Sequence, residues 1–270
     1  AGGGDEPAST EATDSGGGAS GGSVVWANQQ GDSSTGLDPV NMLDLGTYNV
    51  CSQSFEYLVG VGPDGNIAAT SLATDWSPND TGDVWTFTLR EGVKWQDGSD
   101  FTSADVAATM DRLVTKGNSA LDGVIDVGAV DASDPLTATF TLIEPNGNFP
   151  VLVSTFNAQG LITPADYTDG TTLNERPSGT GAWILDNFDV STFTATYSRN
   201  PNWWGGQTPL DGIELRGFAD IGTAVTAMQS REIDGIQQFS VIGGEGLLND
   251  SNFVTLEPPS GNHRQIWFNL

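Results

Sequence analysis

Hydrophobic and polar positions alternate with a period of two over Trp85–Arg90, where Trp85, Phe87 and Leu89 stand against Thr86, Thr88 and Arg90. That pattern predicts a strand with one buried face. Asp97-Gly98 predicts a turn, because Gly supplies positive φ and Asp bonds its own backbone. Beyond it the period lengthens. Val106, Met110, Leu113 and Val114 are spaced for one face of a helix, with Thr102-x-x-Asp105 as a capping-box variant at its start and Gly117 as its stop. The period of two returns over Leu136–Leu142, which predicts an antiparallel strand ended by Glu144-Pro145-Asn146. It returns again in Phe193, Ala195 and Tyr197, placing a hairpin over Trp183–Tyr197. Ser23–Ala27 reads as a short apolar strand and Asn28–Thr35 as a polar loop. Tyr48–Val59 reads as a helix leading into a strand, and Pro63–Asn66 as a turn. Phe149–Phe156 is an apolar helix or strand, and Val225, Met228 and Ile233 mark an amphipathic helix over Thr223–Ile233.

Length and composition narrow the classes. The 270 residues suffice for one large or two ordinary domains. Residues 1–22 hold no aromatic or large aliphatic side chain, so a flexible, weakly acidic tether is expected there. The chain has no signal-peptide apolar stretch and no initiator Met, and a processed or trimmed product is expected. No run approaches the ~18 apolar residues of a membrane-spanning helix. Asp and Glu number 35 against 9 Lys and Arg, a net charge of −26. Such a field repels nucleic acid and anionic membranes, and serves solubility first.

Chemistry is scarce. Cys51 and His263 are each the sole residue of their type, so an intramolecular disulfide, a CxxC site and a closed zinc or copper site are excluded. A nucleophile–base pair would have only His263 to draw on, without a G-x-S-x-G pattern around it. Two carboxylates for a glycosidase are available in any chain this acidic, which removes their specificity. Neither a phosphate-binding glycine motif nor EF-hand spacing occurs, and Asn79–Asp83 reads as a hairpin turn. No cofactor is called for. Binding without catalysis remains.

The run Trp85-x-Phe87-x-Leu89-Arg90-x-Gly92-Val93-x-Trp95-x-Asp97-Gly98-x-x-Phe101-x-x-Ala104-Asp105-Val106 resembles a recurrent segment of the extracellular solute-binding proteins that serve peptide/nickel-type ABC importers. Further stretches are similar in the same order. They are Leu37-Asp38-Pro39, Ile67–Trp76 (with Ala69 at a usual Pro), Pro177–Trp183, Asn200–Gly206, Leu210–Leu215 and the Glu232-Ile233-Asp234 element, where Arg231 stands at a position often Gly.

The resemblance implies an α/β, class II periplasmic-binding-protein-like fold of mixed sheets with flanking helices. It places a first lobe near residues 23–48 and 178–262, a second lobe inserted at 49–177, and the beginning of a third lobe at 263–270. Members are roughly twice as long, so this chain is expected to be the N-terminal portion with the C-terminal lobe absent. The implied function is capture of a peptide or similar solute, such as a nickel chelate, opine or oligosaccharide, and delivery to an ABC permease. The implied ligand-facing residues are Asn28, Gln29, Gln30 and Asp32 before Leu37, then Cys51, Ser52 and Gln53 where the second lobe begins. Asn157, Gln159, Trp183, Gln238 and Phe239 complete the set. The family also implies an extracytoplasmic monomer, with residues 1–22 as the tether of a lipid anchor, and no catalysis. A secreted hydrolase on the same fold and a ligand-sensing surface protein remain as alternatives.

Overall fold

The computed structural model describes residues 21–255 except Ser33, Thr35, 169–171, Pro177, 238–240 and Asn249. Gln238, Phe239, His263, residues 1–20 of the expected tether and the expected third-lobe segment 263–270 lie outside the described residues. The chain runs β1 (Ser23–Gln29), α1 (Leu45–Ser54), β2 (Gly60–Val61), β3 (Ile67–Ala68), β4 (Ala73–Pro78), β5 (Val84–Leu89) and α2 (Ser103–Thr115). It continues β6 (Val130–Asp134), β7 (Thr137–Thr141), α3 (Phe149–Leu152), β8 (Trp183–Asp189), β9 (Thr194–Arg199) and β10 (Gly212–Phe218), then α4 (Ile221–Gln229), β11 (Gly235–Ile236) and α5 (Val241–Leu248).

Among the described residues one sheet has the order β11-β1-β10-β9-β8, with β1 parallel to both neighbours and the remaining pairs antiparallel. A second, antiparallel sheet has the order β4-β5-β7-β6. The strand expected from Trp85, Phe87 and Leu89 is β5, and all three side chains are buried. Phe87 meets Phe140 and Phe149 edge-on, with centroids 5.2 and 6.1 Å apart, the geometry that aromatic quadrupoles favour. The helix expected behind it is α2. The Asp105 carboxylate accepts the Thr102 N–H at 2.8 Å, closing the returning half of the capping box. Val106, Met110 and Leu113 are buried, and Gly117 sits at φ +73° just past the helix end.

Two contacts tie together segments distant in sequence. Arg112 of α2 places Nη2 2.8 and 3.0 Å from the two oxygens of Asp38, a carboxylate with 1% exposure. The crossing at 178–182 presses against the end of α1. A Cβ at Gly179 would stand 1.8 Å from the Ser54 carbonyl oxygen, so only glycine fits.

Local boundaries depart from the sequence pattern where hydrogen bonding outweighs hydropathy. Asn28 and Gln29, expected in a loop, extend β1, because their backbones pair with Gly217 and Phe218 of the parallel neighbour. The helix expected within Tyr48–Val59, ahead of a strand, begins at Leu45, where Asp44 accepts the Thr47 N–H at 2.8 Å, and ends at Ser54. The helix expected at 223–233 is α4, begun in the same way by Asp220.

Candidate functional site

Three parallel strands end together. Gln29 of β1 lies beside Phe218 at the end of β10, and Ala27 beside Ile236 at the end of β11. In an α/β sheet the crevice beyond such strand ends is where ligands bind, since the helices that follow start there and leave room between them. A cleft of about 240 Å³ occupies this place. Its walls come from β1 (Ala27, Asn28, Gln29), the β10–α4 junction (Phe218–Ile221) and the β11 end (Ile236, Gln237). Leu45 and Asn49 of α1 and Ala224 of α4 close it. Helix α1 can lie this close to β1 only because residue 46 is glycine. A Cβ there would stand 2.2 Å from the Gln29 carbonyl oxygen.

Asn28 and Asn49 are 3% and 5% exposed and hydrogen-bonded to each other. The Asn49 Nδ2 donates to Asn28 Oδ1 at 2.8 Å, and Asn28 Nδ2 donates to the Gly46 carbonyl at 3.1 Å. Asp220 accepts the Thr223 N–H through Oδ1 at 2.9 Å, which caps α4 and leaves the carboxylate at the rim of the cleft. Among the described residues no Lys, Arg or His lines it. At about 240 Å³ it falls below the ~300–1,000 Å³ of clefts that take a whole drug-sized ligand, and suits one group of a larger solute.

The expected site residues are dispersed. Asn28 and Gln29 line the cleft. Gln30 and Asp32 follow on the exposed loop, anchored by Gln30 N–H to Phe218 O at 3.0 Å and Asp32 N–H to Asp44 Oδ2 at 3.2 Å. Cys51 is wholly buried in the main core, its thiol turned toward the Leu37 carbonyl at 3.7 Å. Burial pushes that thiol's pKa up, so it stays neutral and presents no surface to a solute in this structure. Ser52 and Gln53 bond back to the Asn49 carbonyl at 3.3 and 3.0 Å. Asn157 and Gln159 join Asn118 in an amide network that also holds the Val40 carbonyl, and so brace two loops. Trp183 opens β8 opposite Arg199, level with the beginning of β1, whereas the cleft lies at that strand's end.

Asn49, Asp220 and Gln237 were missed. An Asp-x-x-Thr helix start directly after a strand is the signal that could have found Asp220; Asn49 sits among Thr47, Ser52, Gln53 and Ser54 in a mixed helix and had no such signal. Among the described residues no three His, Cys, Asp or Glu side chains converge as metal ligands, and no helix is long and apolar enough to cross a membrane.

The model of the bacterial extracellular solute-binding proteins, family 5 (middle), matches residues 69–270. The glutathione-binding protein GsiB of Escherichia coli (strain K12) is 28% identical over 243 residues, covering 89% of this chain and 47% of GsiB. The murein tripeptide binding protein MppA of Escherichia coli superposes with a TM-score of 0.73 at 23% identity, covering 85% of this chain and 48% of MppA. DppA of Helicobacter pylori, solved in complex with the peptide STSA, gives a TM-score of 0.73 at 22% identity, covering 86% and 50%. These two structures carry the same fold, that of periplasmic binding proteins, and the chain spans about half the length of the relatives it matches.

Proposed function

Because the chain belongs to the bacterial extracellular solute-binding proteins of family 5, we propose that it is part of a protein that captures a small peptide outside the cytoplasm and hands it to an ABC permease. The observation that carries this reading is the cleft at the ends of β1, β10 and β11, lined by Asn28, Gln29, Asn49 and Asp220 among others. The proteins it resembles include one that binds glutathione and one solved with a peptide. Both ligands offer backbone donors and acceptors that polar side chains at strand ends can match.

The mechanism is binding without bond chemistry. A solute held between lobes favours the closed form by its differential contacts, and the closed form is what the permease receives. In this proposal residues near 23–48 and 178–262 form one lobe, 49–177 an inserted lobe, and a further lobe supplies the opposing wall. The protein works as a monomer, with the Gly-rich segment 1–22 as the leash of a lipid anchor on the outer face of the membrane.

The test is native mass spectrometry of full-length protein purified gently from its source, followed by calorimetric titration with tri- and tetrapeptides. A retained peptide mass and one-to-one binding without turnover are expected. Protein that carries no peptide and binds none across the panel would refute peptide as the solute.

A further inference from the structure

We propose that this cleft is a receptor for N–H donors. It takes the ammonium or amide end of the solute and turns carboxylates away. The inference rests on the cleft being the solute site proposed above, and it names the chemistry of the group that enters.

The direction of a hydrogen-bond chain decides the matter. A backbone carbonyl can only accept, so the Gly46 oxygen fixes Asn28 with its Nδ2 turned toward it at 3.1 Å. That leaves Asn28 Oδ1 facing α1, where it must meet a donor, and Asn49 Nδ2 supplies one at 2.8 Å. Both side-chain amides are thereby oriented. The group left over is Asn49 Oδ1, an acceptor on a side chain that lines the cleft and receives no donor from the described residues. An acceptor left open on the cleft wall is free to take a donor from the solute.

A second acceptor stands on the same cleft. Asp220 uses Oδ1 to cap α4, and its Oδ2 takes no donor from the described residues. Two helices also start here, and helix starts attract anions. Each of these is already answered by its own aspartate. Asp44 accepts both the N–H and the hydroxyl of Thr47, at 2.8 and 2.9 Å, and Asp220 accepts the Thr223 N–H at 2.9 Å. An incoming carboxylate would face an amide oxygen and a second carboxylate, with no cationic side chain among the described residues of the lining. An ammonium or primary amide would satisfy both acceptors, and about 240 Å³ accommodates one residue-sized group.

The test uses three probes of like shape, n-butylammonium, n-butyramide and n-butyrate, titrated into the full-length protein. Binding is followed by NMR at the Asn49 side-chain amide and the Gly222 backbone amide. Saturable shifts are expected with the first two and none with butyrate. Asp220→Asn keeps an N-capping oxygen but removes the charge. It should weaken butylammonium about tenfold, the loss of one charge-assisted hydrogen bond, and change butyramide by less than about twofold. The proposal is overturned if butyrate binds as well as butylammonium, if none of the three saturates, or if Asp220→Asn leaves butylammonium unaffected. The peptide reading stands or falls separately. Donor probes that bind a protein retaining no peptide and binding none of the panel would sink peptide as the solute and leave this inference intact, whereas a retained peptide beside tight butyrate binding would do the reverse.

Discussion

Arg231 occupies the left-handed region at φ +62°, where an L side chain crowds its own backbone. It sits just past α4, with its N–H on the Met228 carbonyl at 3.1 Å and the next N–H, of Glu232, on the Ala227 carbonyl at 2.9 Å. That paired closure of a helix end normally carries glycine at this position. Arg231→Gly relieves about 1–2 kcal/mol of backbone strain and adds about 0.5–1 kcal/mol of unfolded-state freedom, for a net gain of about 0.5–1 kcal/mol. Urea unfolding should show a higher midpoint at unchanged slope, with Arg231→Ala near neutral. A lower midpoint for the glycine variant would mean that the guanidinium's attraction for Asp250 outweighs the strain. The sequence marked this residue as standing where glycine is common, and the backbone explains why. It could not mark Asn49 as facing the cleft, because that depends on β1 and β10 lying parallel, a pairing between residues 189 positions apart at Ser23 and Gly212.

At the scale of elements, local pattern and tertiary contact divide the work. The strand–turn–helix from Val84 to Thr115 was legible in the sequence because alternation, a turn dipeptide and a capping box are all short-range signals. The Trp203-Trp204 turn was legible only as packing. Its partner Glu56 lies 147 and 148 positions away, and accepts the Trp204 indole N–H at 2.9 Å and that of Trp203 at 3.4 Å. Arg90 stacks over the Trp204 ring at 3.9 Å, so this clasp joins three distant segments. Desolvation raises the Glu56 pKa above its ordinary 4.5, although both indoles and Arg90 pull the other way. The folded state then holds this proton more tightly than the unfolded chain does. Its contribution to stability is complete below about pH 4.5 and is lost as pH rises through the folded value. Stability measured by denaturant between pH 4 and pH 8 should therefore fall more steeply in the native protein than in Glu56→Gln, which has no proton to lose. Parallel profiles for the two proteins would show that Glu56 titrates as it does in the unfolded chain.

For the molecule as a whole, charge is the dominant unbalanced quantity. A net charge of −26 is set against only 9 Lys and Arg, and several of those cations are committed to specific pairs. Arg112 is buried against Asp38, Arg199 and Arg216 pair with Asp211 and Glu214, and Arg176 and Lys94 hold Asp166 and Asp100 on the surface. Exposed carboxylates thus repel one another over much of the surface, which opposes the compact state. Screening should relieve this. The Debye length falls from about 30 Å at 0.01 M salt to about 8 Å at 0.15 M, so repulsion between distant acids is largely removed over that interval. The Arg112–Asp38 pair, with side chains 11% and 1% exposed, lies beyond the reach of mobile ions and keeps its contribution. The thermal midpoint should climb between 0.01 and 0.15 M NaCl and then level off, with potassium chloride giving the same curve because the effect is one of ionic strength. A midpoint that fell with salt would mean that the exposed pairs at Lys94 and Arg176 contribute more than the repulsion costs, and would reverse the expected sign of surface electrostatics in this protein.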